Sequence, residues 1–308
     1  MEESLRSHLR AVFGDRLQEN VLMAGYTSAR IGGPADILLF VRSADELAEA
    51  AETLWGLDVP FVLLGGGSNV LVSDRGVRGV VILNRARLIQ FHPQTEPPSV
   101  TAESGVTLND LAQRAARLGL SGMEWAATVP GTLGGAVYGN AGAFGGDMAG
   151  SLHSTELLLR GGGRQTWPVE RLEYGYRSSR LKRERLPAVI LKAHLSLRRG
   201  DRQAIQSKMA EFSARRRSTQ PPGASLGSMF KNPPGDYAGR LIEAAGLKGR
   251  RIGNAEISPL HANFFINHGQ TSAADVKALI DLARQTVREK FGVELELEIE
   301  LLGEWVNE

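Results

Sequence analysis

Val129-Pro-Gly-Thr-Leu-Gly-Gly-Ala-Val-Tyr-Gly-Asn-Ala-Gly-Ala-Phe-Gly-Gly146 is the stretch on which the reading of this chain turns. Seven of its residues are glycine, but they are interleaved with Val, Leu, Ala and Phe. Flexible linkers lack such apolar residues. Glycine permits positive φ and close backbone approach. The stretch therefore reads either as a set of buried turns or as backbone packed against something flat. Upstream, Leu64-Gly-Gly-Gly-Ser-Asn-Val-Leu-Val72 ends a strand in three glycines followed by Ser68 and Asn69. Successive N–H groups in such a loop form an anion nest. It is neither a Walker loop nor a GxGxxG fingerprint, and taken alone it suits a tight surface turn equally well. Ile31-Gly-Gly-Pro-Ala35, after Arg30, is a weaker third case.

The rest of the chain is that of a globular protein. Of 308 residues, 42% are hydrophobic and 23% charged, enough apolar surface to exclude wholesale disorder. No apolar run approaches the roughly 20 residues that span a bilayer, and Met1–Gly14 has no signal-peptide core. There are no cysteines. That excludes disulfides, thiolate metal sites and a Cys nucleophile, and suits a reducing cytoplasm. The net charge is +2, and the pI of 9.0 reflects near-balance of charge. The one dense basic run, Arg215 to Arg217, reads as a solvated helix end or a small-anion contact, not a nucleic-acid stripe. His8, His92, His153, His194, His261 and His268 show no ligand spacing, so no metal is expected.

Short strands and helices alternate, which gives an α+β or α/β class. Ser43-Ala-Asp-Glu46 reads as a capping box opening a helix to Leu54, and Thr107-Leu-Asn-Asp110 caps one that stops near Gly119. Residues 61–64, 79–83 and 188–197 read as strands. Gln203 to Arg217 is an amphipathic helix, Tyr237 to Ala245 a short one, and Thr271/Ser272 opens a helix to Lys290. Val293 to Leu301 alternates strictly. As one strand it puts the leucines and Ile299 on one face and Glu294, Glu296, Glu298 and Glu300 on the other. The change in texture places a domain boundary near residue 200.

Arg30-Ile-Gly-Gly-Pro-Ala35, Leu64-Gly-Gly-Gly-Ser-Asn69, Pro130-Gly-Thr-Leu-Gly-Gly135 with Gly139-Asn-Ala-Gly142, Gly175-Tyr-Arg-Ser-Ser179, Gly227-Ser-Met-Phe-Lys-Asn-Pro233 and Leu295-Glu-Leu-Glu-Ile299 occur in this order over nearly the whole chain. As an ordered set the chain resembles the bacterial UDP-N-acetylenolpyruvoylglucosamine reductases, flavoenzymes of peptidoglycan precursor synthesis. The compact stretch after Gly227 is similar to the shorter subtype, which lacks an extra tyrosine loop. Thr128 departs from the pattern, since many members carry glycine there.

The resemblance implies an α+β fold. An FAD-binding region of two α+β subdomains, like the vanillyl-alcohol-oxidase flavoproteins, would occupy residues 1–199, split near 90. A smaller α+β substrate domain would occupy 200–308. It implies noncovalent FAD held by Arg30, Gly65, Gly66, Gly67, Ser68, Asn69, Pro130, Gly131, Gly134, Gly135, Asn140 and Gly142. It implies NADPH as co-substrate, a UDP-sugar substrate, no nucleic-acid or membrane partner, and a cytoplasmic monomer. Arg177 would bind and stabilise a carboxylate, Ser228 would protonate carbon, and Glu298 would assist. Tyr176, Lys231 and Asn232 would line the substrate pocket. On the residues alone Arg177 could be a surface arginine beside Arg180 and Lys182, Ser228 a turn serine, and Tyr176 a core tyrosine. Spacing alone does not separate Glu298 from Glu296. A noncovalent FAD oxidase on the same scaffold is the nearest alternative. Ser68 stands where covalent relatives carry the linking histidine.

Overall fold

The computed structural model describes residues 2–305. Local signals set most element starts. The Ser43 hydroxyl accepts the Glu46 N–H at 3.1 Å, while the Glu46 carboxylate accepts the Arg42 N–H at 2.8 Å, and the helix Ala44–Gly56 follows. Thr107 accepts the Asp110 N–H at 3.2 Å and opens Leu108–Arg117. Ser272 and Asp275 form a reciprocal capping box ahead of Ala273–Phe291, which Gly292 ends at φ 67°. Strands run over Phe61–Leu64, Val77–Asn84 and Ala188–Ser196, and helices over Arg202–Thr219 and Ala238–Ala244.

The chain divides into two units, and it crosses between them several times. The first comprises Met1–Leu38, Gly66–Val81 and Arg217–Glu308, the second Leu39–Gly65 and Ile82–Arg216. The second unit holds a five-stranded antiparallel sheet in the order Gly163–Pro168, Leu152–Leu159, Ala188–Ser196, Ser99–Glu103, Ile89–His92. Val100, Ala102, Ala193 and Leu195 from this sheet share a core with Leu111 and Ala115 of one helix and Leu133 and Val137 of another. Glu103, 6% exposed, accepts the N–H groups of Ala44 and Leu88, each at 2.8 Å. Its buried charge is thus hydrogen-bonded, as burial demands.

The first unit holds a three-stranded antiparallel sheet, Arg251–Ile252, Ala255–Ile257 and Phe265–Asn267. Leu241 and Ile242 of one helix and Val276, Leu279, Ile280 and Ala283 of another pack in its core. Asp74 takes the first N–H groups of the long helix, Ala273 at 2.7 Å and Ala274 at 2.9 Å.

The expected strand over Val293 to Leu301 is corrected. Burial alternates as read, with Leu295 and Ile299 buried and Glu294 and Glu296 exposed. The backbone, however, changes partner along the way. Glu296 and Glu298 bond to Lys231 and Met229, whereas Glu300–Leu302 pairs in parallel with Val70–Val72. The chain bends at Glu298 and Ile299 to pass from one partner to the other, and only Glu300–Leu302 is a strand.

A carboxylate at a helix N-terminus satisfies free N–H groups and the helix dipole together. Asp74→Ala should lower unfolding stability by about 1–2 kcal/mol in urea titration, and Asp74→Asn by less. A loss within about 0.5 kcal/mol for both, as for an ordinary surface change, would mean that the helix start does not depend on Asp74.

Candidate active site

The glycine-rich segment forms the helix Leu133–Gly139, and its first turn is docked on the chain before it. Leu133 N–H donates to Val106 at 2.8 Å, Gly134 N–H to Ser104 at 2.8 Å, and Leu108 N–H to the Gly131 carbonyl at 3.2 Å. A Cβ on Gly134 would lie 2.9 Å from Ser104 Cβ, so this glycine permits close packing. Gly135 differs. It is exposed, and the nearest atom to a Cβ there is Thr132 Oγ1 at 3.9 Å. That Thr132 hydroxyl would in turn clash with a Cβ on Gly65, at 2.1 Å. Gly65 is thus packed against the buried Thr132, and Gly135 presents exposed backbone. In the loop that follows, none of the N–H groups of Gly66, Gly67, Ser68 and Asn69 is taken up by a hydrogen bond within the chain, among the described residues. Bare backbone and unsatisfied N–H donors fit a flat group carrying phosphates.

The helix C-terminus leaves carbonyls that no residue of the helix can satisfy. Tyr174 Oη donates to Val137 at 2.8 Å, and Ser179 Oγ to Tyr138 at 2.6 Å. Burial first, and then the Asp147 charge, raise the Tyr174 phenol, which stays a neutral donor. Asn140, in the left-handed region at φ 46°, donates from Nδ2 to the Gly175 carbonyl at 3.0 Å and accepts the Ala149 N–H at 3.0 Å. These bonds bracket a tight turn in which Gly175 and Ser178 exchange N–H···O bonds of 3.0 and 3.2 Å. Arg177 sits in that turn at φ 52°, a conformation that a side chain other than Gly disfavours and that tends to mark function. Its Nη2 donates to the Gly142 carbonyl at 2.8 Å. Arg180, by contrast, pairs with Glu184 at 3.0 Å. Both arginines are half-buried, but their partners differ, a backbone carbonyl for Arg177 and a carboxylate for Arg180. Tyr176 is 56% exposed with the Arg177 guanidinium 5.5 Å from its ring centroid, so it is not a core tyrosine.

In the first unit, Ser228 to Lys231 lies between two neighbours. Ser228 bridges to Phe264 and Phe230 to Leu297. Asn263 completes one side, its Oδ1 accepting the Phe230 N–H at 2.9 Å and its Nδ2 donating to the Phe230 carbonyl at 2.8 Å. On the other side Lys231 N–H donates to Glu296 at 2.8 Å and Glu298 N–H to Met229 at 2.9 Å. Ser228 and Glu298 are thus brought onto adjoining segments. Asn69 Nδ2 donates to the Glu298 carbonyl at 3.1 Å, and Glu300 N–H to the Asn69 carbonyl at 2.9 Å. The loop asparagine therefore fixes the backbone of the glutamate.

The four glutamates separate. Glu294 meets Arg288 at 2.9 Å, and Glu296, 73% exposed, pairs with Lys231. Glu298 and Glu300 are half-buried. Lys231 thus has a carboxylate partner, and Asn232 Oδ1 accepts the Ala238 N–H at 3.1 Å at the start of a helix. Arg30 is exposed at φ 56° in a turn closed by Thr27, whose Oγ1 donates to the Ile31 carbonyl at 2.8 Å.

The sequence motifs include Ser179 but not Tyr174 or Asn263. Their roles depend on distant carbonyls that no local pattern reveals. The basic run Arg215 to Arg217 is not simply a solvated helix end. Arg216 Nη1 donates to the Thr128 carbonyl at 2.5 Å, and burial lowers its pKa. Among the described residues no group of three or more His, Asp or Glu is placed to hold a metal ion, and no helix is long and apolar enough to cross a membrane.

A family model described as UDP-N-acetylenolpyruvoylglucosamine reductase, C-terminal domain, matches residues 219–302, and an FAD binding domain model matches 35–166. The UDP-N-acetylenolpyruvoylglucosamine reductase of Chloroflexus aggregans is 44% identical over 93% of this chain and 97% of its own length. That of Bacillus subtilis is 41% identical over 92% and 93%. The crystal structure of the reductase from Thermus caldophilus superposes with a TM-score of 0.79 at 38% identity, covering 93% of this chain and 99% of that one. The α+β flavoprotein fold expected from the sequence is therefore the fold of the chain, and this chain belongs to the UDP-N-acetylenolpyruvoylglucosamine reductase family.

Proposed function

We propose that Arg177, Ser228 and Glu298 are the residues through which this chain reduces the enolpyruvyl ether of UDP-N-acetylglucosamine to UDP-N-acetylmuramate, with NADPH as electron source. The chain is an FAD-dependent oxidoreductase of peptidoglycan precursor synthesis. When bound, FAD would supply the hydride-transfer chemistry that links NADPH to the terminal vinyl carbon. The observation that carries the reading is the Arg177 turn, held at positive φ by Tyr174, Ser179 and Asn140.

Gly65, Gly66, Gly67, Ser68 and Asn69 would hold the pyrophosphate on their N–H groups. Pro130, Gly131, Gly134, Gly135, Asn140 and Gly142 would frame the rest of the cofactor, Asn140 and Gly142 by placing neighbouring groups, and Arg30 would reach it from its own turn. Addition at the vinyl carbon leaves negative charge beside the substrate carboxylate. Arg177 is always charged and binds a carboxylate through paired N–H donors, which stabilises that charge where it develops. The Ser228 hydroxyl donates the proton to the carbon next to the carboxylate. Glu298, next to an anionic substrate, assists that proton transfer. Tyr176 offers an exposed ring to the sugar nucleotide, and Lys231 and Asn232 line its path.

Residues 1–199 are proposed as the FAD-binding region, split near 90, and 200–308 as the substrate domain, supported by the matches to 35–166 and 219–302. A cytoplasmic location rests on the nucleotide substrates and the absence of cysteine.

Ser228→Ala should leave flavin bleaching by NADPH near its normal rate and slow reoxidation by the enolpyruvyl substrate about 10²–10⁴-fold. Stopped-flow absorbance separates the two steps, and equal slowing of both would assign Ser228 to binding or folding. Glu298→Gln should lose substrate-driven reoxidation by several orders of magnitude, while Glu294→Gln and Glu300→Gln stay near wild type. An inactive Glu296→Gln protein beside a normal Glu298→Gln one would transfer the role to Glu296. Acid precipitation should leave the flavin in the supernatant, and flavin retained on the pellet would refute noncovalent binding.

A further inference from the structure

Gly142–Ala143 and Gly146–Asp147 form a two-residue hairpin, with Ala143 opposite Gly146 and Asp147 opposite Gly142. Both central residues have positive φ, Phe144 at 53° and Gly145 at 81°. Such a turn selects Gly, Asn or Asp, because a Cβ at positive φ crowds the neighbouring carbonyl. Gly145 conforms to this preference. Phe144, a bulky residue, does not, so its surroundings must hold it there.

Those surroundings are aromatic. The Phe144 ring lies parallel to that of Phe212, with centroids 4.5 Å apart and planes 5° from coplanar. Phe212 is 9% exposed and projects from the helix Arg202–Thr219. Each ring also carries a cation, the Arg215 guanidinium 6.0 Å from the Phe144 centroid and the Lys208 ammonium 5.8 Å from that of Phe212. Offset-stacked rings and cations near their faces attract one another, which offsets the unfavourable backbone. The base of the hairpin is fixed as well. A Cβ on Gly146 would lie 2.5 Å from the Trp125 ring, and one on Gly142 2.7 Å from Asp147 Cβ, so both positions are packed to backbone contact.

The Gly142 carbonyl at this base is the acceptor that Arg177 reaches at 2.8 Å. Two turns with side chains at positive φ, Phe144 and Arg177, are thus joined by one hydrogen bond. We propose that Phe144 and Phe212 are positioning residues for Arg177: their stack holds the hairpin in a conformation its sequence disfavours, and the Gly142 carbonyl then sets the direction of the guanidinium. The inference rests on the reading of Arg177 as the carboxylate-binding residue. It explains why a phenylalanine occupies a turn position that glycine or asparagine fills more easily.

The test uses the flavin-loaded protein and three variants. Phe212→Ala removes the stack. Phe144→Asn removes it while keeping a residue that tolerates positive φ. Phe144→Tyr keeps it. In Phe212→Ala, the Kd of the enolpyruvyl substrate for the oxidised protein, read from flavin absorbance, and its KM should rise about 10–100-fold, the scale of a displaced catalytic group. Flavin bleaching by NADPH should change little, Phe144→Asn should keep its substrate affinity because Asn-Gly adopts this turn without the stack, and Phe144→Tyr should behave as wild type. Combined with Arg177→Lys, Phe212→Ala should add less than about twofold, because contacts that act through one residue are not additive. Multiplying effects, or wild-type substrate affinity in Phe212→Ala, would overturn the positioning role and leave the role of Arg177 intact. If Arg177→Lys alone leaves substrate binding and reoxidation unchanged, the reading of Arg177 fails, and the positioning role fails with it.

Discussion

The last carbonyls of a short helix must find donors outside the helix, and in Leu133–Gly139 that requirement organises the second unit. Tyr174 and Ser179 supply the donors to Val137 and Tyr138. In doing so they fasten the turn carrying Arg177 to the same helix whose opening Gly134 packs on Ser104. The backbone proposed to face the cofactor and the side chain proposed to bind the substrate are therefore tied to one helix. Neutral donors suit this role. The Tyr174 phenol, raised by burial, does not ionise in the working range and so keeps its hydrogen bond.

The first unit solves a different problem. A serine is a weak acid, and it becomes useful only if its hydroxyl is held where charge develops. The segment from Ser228 to Lys231 is held on both sides, by Asn263 on one and by Glu296 and Glu298 on the other. Asn263 acts as a side-chain substitute for a strand, which leaves Phe230 buried with its backbone polar groups satisfied. Asn69 extends the arrangement from the glycine loop to the Glu298 backbone. A residue read as a phosphate contact thus also sets the position of a proposed catalytic group.

What was legible in the sequence was local. Ser43, Thr107 and Ser272 announce helix starts because a capping bond closes within three residues. The glycine loops were legible because backbone approach excludes side chains. The segment from Val293 to Leu301 was misread as one strand because its burial alternates while its pairing changes partner, and pairing is non-local. Arg216 was hidden for the same reason. Its sequence neighbours are charged, while its partner is the carbonyl of Thr128. The partners of Glu294 and Glu296, Arg288 and Lys231, were likewise invisible to the alternation of the sequence.

The central claim is that the helix end and the Arg177 turn act as one body. Its most direct test is stopped-flow reoxidation of the NADPH-reduced Ser179→Ala protein by the enolpyruvyl substrate. Ser179 is fully buried and touches neither ligand in this account. Loss of its bond to Tyr138 should slow reoxidation at least about tenfold, as expected for a loosened catalytic group, while bleaching by NADPH keeps its ordinary rate. Reoxidation at the wild-type rate in a folded Ser179→Ala protein would contradict the account.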